Sequence, residues 1–339
     1  MIPLSILELV RVTEAVDARG AMDNARDLAA RAEGWGYQRI WVAEHHNMQG
    51  IASAATSLVI SHIAAGSESI RVGAGGIMLP NHAPLVVAEQ FGTLAQLYPG
   101  RIDLGLGRAP GTDGMTMRAL RVNPENAQRF PQDVLELQHY FSPEAATGAV
   151  QAVPAAGTEV PLWILGSSLF GGALAGELGL PYAFASHFAP QMLMQALTTY
   201  RERFKPTEQL EKPYAMVGVN VIAADTDAEA RRLHTTQQMS FANLLRGARR
   251  LSQPPIDDIE DYWSPAEKAQ AQQMLARSIV GSPVTVRAGL RKLVEETGAD
   301  ELIVVSDVFD HQARLHSFEL IARCAELTAA DAPPSRLVG

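Results

Sequence analysis

Eight times along this chain a short apolar run rich in β-branched residues gives way to a stretch with helical spacing, and that alternation restricts the fold more than any other feature. The runs begin near Leu4, Arg39, Ile70, Ile102, Leu162, Tyr182, Ala215 and Glu301. Several, such as Leu162-Trp163-Ile164-Leu165 and Leu302-Ile303-Val304-Val305, are continuously apolar, as parallel strands buried on both faces require. Strict β-then-α order means parallel strands joined by crossovers, in either an open doubly wound sheet or a closed barrel. An open sheet that binds a nucleotide carries Gly-x-Gly-x-x-Gly directly after its first strand. Here that strand runs into Glu8-Leu9-Val10-Arg11-Val12-Thr13. The pattern therefore predicts an α/β fold, a (β/α)8 TIM barrel, as a single domain over residues 1–339.

The intervening helices are marked by their stripes and ends. Met22, Ala25, Leu28, Ala29, Ala32 and Trp35 share one face, with Gly34 and Gly36 at the end. Pro84 stands at a first helical position ahead of Val87, Phe91, Leu94, Ala95 and Tyr98, and Pro99-Gly100 closes that helix. Thr226 with Glu229, and Ser264 with Glu267, have capping-box spacing, and Ser282-Pro283 opens another helix. The stretch between the seventh and eighth strands, about 225–300, is too long for one helix. Its polar, proline-containing middle, 253–261, reads either as an insertion that lids the active-site face or as a solvated loop.

Composition narrows the function classes. A net charge of −9, from 37 acidic and 28 basic residues without long runs of one sign, gives no general attraction for nucleic acid. The single cysteine, Cys324, excludes a disulfide within the chain and fits a reducing compartment. The N-terminus reads as a first strand and not as a signal peptide, and no apolar run approaches the roughly 18–20 residues that cross a bilayer. The expected location is the cytoplasm.

In a (β/α)8 barrel the active site lies at the C-terminal strand ends. After the second strand comes Ala43-Glu44-His45-His46-Asn47, an unusual place for a carboxylate and two imidazoles. Side chains alternate on a strand, so at most one of the two histidines faces the barrel axis, and both cannot bind one metal. The third strand ends in Gly73-Ala74-Gly75-Gly76, where a flat ring, a bulge or a tight turn would each explain the glycines. His82, just beyond, either lines a pocket or caps its turn. Gly105 and Gly107 leave one face of the fourth strand bare, and Arg108 follows, suited to clamp a phosphate or carboxylate or to pair with a structural acid. Leu165-Gly166-Ser167-Ser168-Leu169-Phe170-Gly171 opens a helix after the fifth strand, with the free amides of an anion site.

Together these segments, with Ser53-Ala54-Ala55-Thr56, 72–80 and Tyr98-Pro99-Gly100-Arg101-Ile102-Asp103, resemble the bacterial luciferase-like family of flavin-dependent monooxygenases. The resemblance spans nearly the whole chain, through Arg314-Leu315-His316-Ser317, and is greatest to a subgroup without assigned substrates. It implies an FMNH2-dependent monooxygenase acting through a flavin C4a-hydroperoxide on a small organic substrate. The isoalloxazine ring would rest on a non-prolyl cis peptide at Gly75-Gly76. His45 would be the catalytic histidine with Glu44 beside it, Arg108 the phosphate clamp, and Ser167, Ser168 and Gly171 the phosphate loop. Gly171 departs from luciferase, which has a hydroxyl residue there. The resemblance further implies a homodimer and an NAD(P)H-dependent flavin reductase as the source of FMNH2. F420-dependent hydride transfer in the same superfamily, a non-catalytic flavin-binding protein and a metal-dependent hydrolase are the competing readings.

Overall fold

A computed structural model describes residues 1–207 and 209–327. All eight expected strands are present: β1 (Leu4–Glu8), β2 (Arg39–Val42), β3 (Arg71–Met78), β4 (Ile102–Gly107), β5 (Leu162–Gly166), β6 (Tyr182–Phe184), β7 (Ala215–Ala223) and β9 (Glu301–Val305). Each pairs in parallel with its neighbours, and β9 lies between β7 and β1, which closes the ring. The fold is the (β/α)8 barrel that the alternation predicts.

A ninth strand, β8 (Ile279–Gly281), was not expected. It pairs with Val221, Ile222 and Ala223, the part of β7 that continues past the ring pairings. Its Ile279 and Val280 are only partly buried, so no buried apolar run marks the strand in the sequence. Their neighbour, nine residues long, supplies the partner.

Helices on the outside follow their stripes. Helix α1 (Ala18–Gly34) buries Ala21, Ala25, Leu28, Ala29 and Ala32, and Asp17 caps it by accepting from Gly20 N. Helix α3 (Pro84–Leu97) starts on its proline and buries Val87, Phe91 and Leu94. Burying these apolar faces on the strands is the main source of stability.

Strand pleating sends alternate residues inward. Leu7, Trp41, Trp163, Ala183, Met216, Ile303 and Val305 pack inside the ring. Below them, at the N-terminal end, the interior is ionic. Arg39 donates to Glu301 Oε1 at 2.9 Å and to Asp103 Oδ2 at 2.7 Å. Arg71, Trp41, Ser5 and Tyr214 complete the contacts of the two carboxylates. The Arg39 guanidinium also lies 4.8 Å from the centre of the Trp163 ring.

The insertion after β7 holds α8 (Asp227–Leu245), α9 (Pro265–Met274) and α10 (Pro283–Thr297). The Ser264–Glu267 capping box is formed in both directions. At the other expected box, the Thr226 side chain accepts from Glu229 N. Phe241, Trp263, Ala271 and Leu275 form a small core of the insertion's own. The 253–261 segment, read as either a lid or a solvated loop, is fastened to α8. Thr236 donates to Gln253 O, Thr235 bonds the backbone of Ile256, and Arg232 pairs with Asp257, all from α8. Residues 249–252 are the part that reaches the barrel mouth. Ser252 bonds Val12 and Glu14 of the β1 loop, and Arg249 bonds Asn47 and Asp113.

Candidate active site

The residues after β2 split by the alternation of the chain. Ala43 belongs to the interior cluster, and His45, in phase with it, turns towards the axis. Glu44 and His46 turn the other way, towards the loop after β3. The bend that carries them is pinned by Ser53, whose buried hydroxyl donates to Ala43 O, and by Thr56, which donates to Ser53 O at 2.8 Å.

Glu44 is fully buried and lies at the centre of a polar cluster. His46 Nε2 and His82 Nε2 lie 2.8 and 2.9 Å from its Oε1, and Met78 N donates to Oε2 at 2.9 Å. Asn81 Nδ2 adds a bond to Oε1 at 3.3 Å and another to Pro110 O. Burial pushes the carboxyl up, but the His82 contact, the Met78 amide and His46 outweigh it, and its pKa is lowered overall. Glu44 therefore stays an anion holding two imidazoles. The ligand atoms of Glu44, His46 and His82 lie within 4.8 Å of one another, a spacing that also suits a metal ion. His45 is not among them, as the alternation argument requires. The expectation of Glu44 acting beside His45 changes in detail: its hydrogen bonds go to His46 and His82, two residues on the loops that carry the mouth.

His45 stands apart, partly buried, its Nδ1 without a hydrogen-bond partner among the described residues. Burial, and then the nearby Arg11 cation, push its pKa down to about 4. The ring is neutral at pH 7 and free to accept or give a proton.

Gly75-Gly76 is a non-prolyl cis peptide, as the resemblance implied, and the register between β3 and β4 shifts there. The glycines themselves are set by the protein's own packing. A Cβ on Gly75 would lie 2.7 Å from Leu7 Cδ1, and one on Gly76 would lie 2.6 Å from Gly105 O. The expectation that Gly105 and Gly107 open space at the mouth is corrected in the same way. A Cβ on Gly105 would meet Ala74 O and Leu165, and one on Gly107 would meet Met78 Sδ at 2.9 Å. The Ala74 carbonyl and the Leu165 and Met78 side chains fill those positions.

Arg108, at the end of β4, is exposed and makes no ion pair among the described residues. Its guanidinium lies 3.9 Å from the centre of the Phe170 ring, in the first turn of α6 (Leu169–Leu178). Ser168 is the N-cap of α6 but its hydroxyl does not cap it, so amides of the first turn keep no side-chain partner. The structure thus brings Arg108, Ser167 and Ser168 to one rim of the mouth. A Cβ on Gly171 would lie 3.2 Å from Tyr182 Cε2, and Tyr182 is fixed by burial and by its bond to Ser168 O. That crowding leaves little room for a side chain at this position.

Two residues of the mouth escaped the strand-end reading. Asn81 anchors Glu44, and His187 follows β6 in Phe184-Ala185-Ser186-His187. Inspecting the end of the sixth strand as closely as the others would have found the second.

Comparison with known proteins now decides the family. The luciferase-like monooxygenase family model matches residues 2–301. The chain belongs to the luciferase-like monooxygenase family. A luciferase-like monooxygenase of Escherichia coli K12 is 53% identical over 320 residues, covering 94% of this chain and 96% of that protein. An N-acetyl-S-alkylcysteine monooxygenase of Bacillus subtilis 168 is 32% identical, covering 77% and 79%. Among solved structures, apo-MsnO8 superimposes with a TM-score of 0.90 at 37% identity, covering 97% of this chain and 99% of the other. The fold is also shared at lower identity by an FMN complex, the oxygenating constituent of 3,6-diketocamphane monooxygenase from Pseudomonas putida, with a TM-score of 0.70 at 19% identity, covering 95% and 97%. It is shared by an F420-dependent secondary alcohol dehydrogenase as well, with a TM-score of 0.70 at 14%, covering 95% and 98%. Family membership makes this protein an oxidoreductase of the luciferase-like monooxygenase type. Among the described residues no helix is long and apolar enough to cross a membrane.

Proposed function

We propose that this protein is an FMNH2-dependent monooxygenase that inserts one oxygen atom of O2 into a small organic substrate. One observation carries the choice: Arg108 is an exposed cation, without an ion pair among the described residues, stacked on Phe170 beside the uncapped first turn of α6. A cation and free amides facing one point suit a phosphate monoester. The residues present fit the group. Arg108, Ser167, Ser168 and the amide of Gly171 would hold the phosphate of FMN, and the backbone at Gly75 and Gly76 would support its ring.

Reduced FMN, when bound, supplies two electrons to O2, so that one oxygen atom enters the substrate and the other leaves as water. The chain provides the rest. His45 is neutral at pH 7 and can exchange a proton at a ring nitrogen. Glu44, through His46, His82 and Met78 N, fixes the two loops that frame the mouth. The 249–252 strap, tied to the β1 loop, restricts water. FMNH2 is proposed to come from a separate NAD(P)H-dependent flavin reductase, and the working form to be a homodimer in the cytoplasm.

Anaerobic titration with FMNH2, then mixing with O2 while recording absorbance, tests the reading. Saturable FMNH2 binding and a transient near-ultraviolet absorbing species are expected. Binding of oxidised F420, with no response to FMNH2, would replace the proposal with hydride transfer.

A further inference from the structure

Asn220 and Gln237 are almost fully buried, at 2% and 1% exposure, and together they hold one backbone carbonyl. Gln237 Nε2 donates to Asn220 Oδ1 at 2.8 Å, and Asn220 Nδ2 donates to the carbonyl of His187. One residue earlier, the Ser186 hydroxyl donates to Gly218 O on β7. Buried amides and hydroxyls are costly unless bonded, so this is a large commitment to the position of one turn.

The side chain on that turn enters the barrel mouth. Gly218 follows Met216 in phase, and Met216 packs inside the ring, so Gly218 faces the axis. A Cβ there would lie 2.5 Å from His187 Nδ1. The imidazole therefore fills the space that an inward side chain of β7 would take. Its Nδ1 is buried against Gly218 without a hydrogen-bond partner among the described residues, and His45 Nδ1 is likewise buried and unpartnered, so Nε2 of each ring is the nitrogen left to meet a ligand. β2 and β6 lie opposite each other in the ring, so the two imidazoles approach from opposite sides. Below them the lining is apolar, with Leu7, Trp41, Leu165, Met216 and Val305, and the nearby Arg11 cation is neutralised by its pair with Asp307 at 2.9 Å. Burial, reinforced by His45, pushes His187 down to about 3, so both rings are uncharged at pH 7. Neutral donors and acceptors over this apolar lining match a neutral oxygen better than an anion.

We propose that His187 is a specificity-determining residue of this site, hydrogen-bonding a carbonyl or hydroxyl oxygen of an uncharged, otherwise apolar substrate across the mouth from His45. The inference rests on reading the mouth as the reaction site, and it names the substrate class that the mouth would take.

The test uses the full chain, with and without FMN, and the size-matched probes cyclohexanone and cyclohexane. Binding is followed by the histidine ring signals of nitrogen-labelled protein. Wild type should bind the ketone about tenfold more tightly than the hydrocarbon, the worth of one hydrogen bond. His187→Phe should abolish that preference. Gly218→Ala should reduce it with the imidazole still present, by pushing the ring aside. A wild-type protein without ketone preference, or a preference that survives both substitutions, overturns the proposal. FMN titration of the same proteins separates the two readings. Absence of FMN binding with a His187-dependent ketone preference would remove the flavin assignment and leave this one standing.

Discussion

At the N-terminal end of the barrel, Arg39, Asp103, Arg71, Glu301 and Tyr214 are bonded to one another around two buried carboxylates. At the C-terminal end, among the described residues, His45 and His187 each hold a buried ring nitrogen without a partner and Arg108 makes no ion pair. Both ends are polar interiors of the same eight strands. A buried charge is tolerated when every partner is present, as at the floor, where the pairing raises the Arg39 pKa against the opposing effect of burial. Polar groups left open at the mouth gain nothing for the fold and are available to a ligand. The floor secures the barrel; the mouth keeps its bonding capacity for chemistry.

Breaking the floor should have the largest effect on folding. Arg39→Ala leaves Asp103 and Glu301 as buried charges without their main partner and should cost about 3–5 kcal/mol in denaturant unfolding. A change near zero would mean that the ionic layer is incidental. At the mouth, His45→Ala should keep FMN binding while turnover falls by about a hundredfold or more, the usual worth of a general acid or base. Equal turnover in the variant would sink its role. Arg108→Ala should weaken FMN binding by about 1.5–3 kcal/mol, read by fluorescence titration, with unfolding little changed. If affinity stays the same, Arg108 is not the clamp.

Acid sharpens the contrast further. Both mouth histidines titrate far below the ordinary value of 6.5, at about 4 and about 3. The unfolded chain takes up these protons first, so stability should fall as pH drops from about 6.5 towards 4. In His45→Gln that fall should be shallower, measured as the denaturation midpoint between neutral and acid pH. The smallest effect belongs to the exposed strap contact. Arg249→Ala should shift stability by at most about 1 kcal/mol, as surface ion pairs do. A larger loss would show that 249–252 is integral to the barrel.

The eight ring strands were legible because each buried strand is written locally, as an apolar run of the right length. The helix ends at Pro84, Thr226 and Ser264 are equally local, since a cap needs only residues a few positions apart. The same holds for the split of His45 from His46, which follows from two-residue alternation. β8 was not legible, because its three residues become a strand only against the far end of β7. The glycines of β3 and β4 were visible as a motif but not in their cause. The atoms they admit, Leu7, Trp41, Leu165 and Met78, come from other strands or from across the pairing. Glu44 was singled out by its neighbours in sequence, whereas its partnership with His82 depends on where the loop after β3 returns. His187 is set by Asn220, Gln237 and Gly218, which lie 31 to 50 positions along the chain. The sequence alone determined the eight ring strands, their order and the residue types at the strand ends, because those depend on spacing over a few residues. Tertiary structure decided which of those groups are satisfied and which stay open, because only closing the ring brings distant partners within hydrogen-bonding distance.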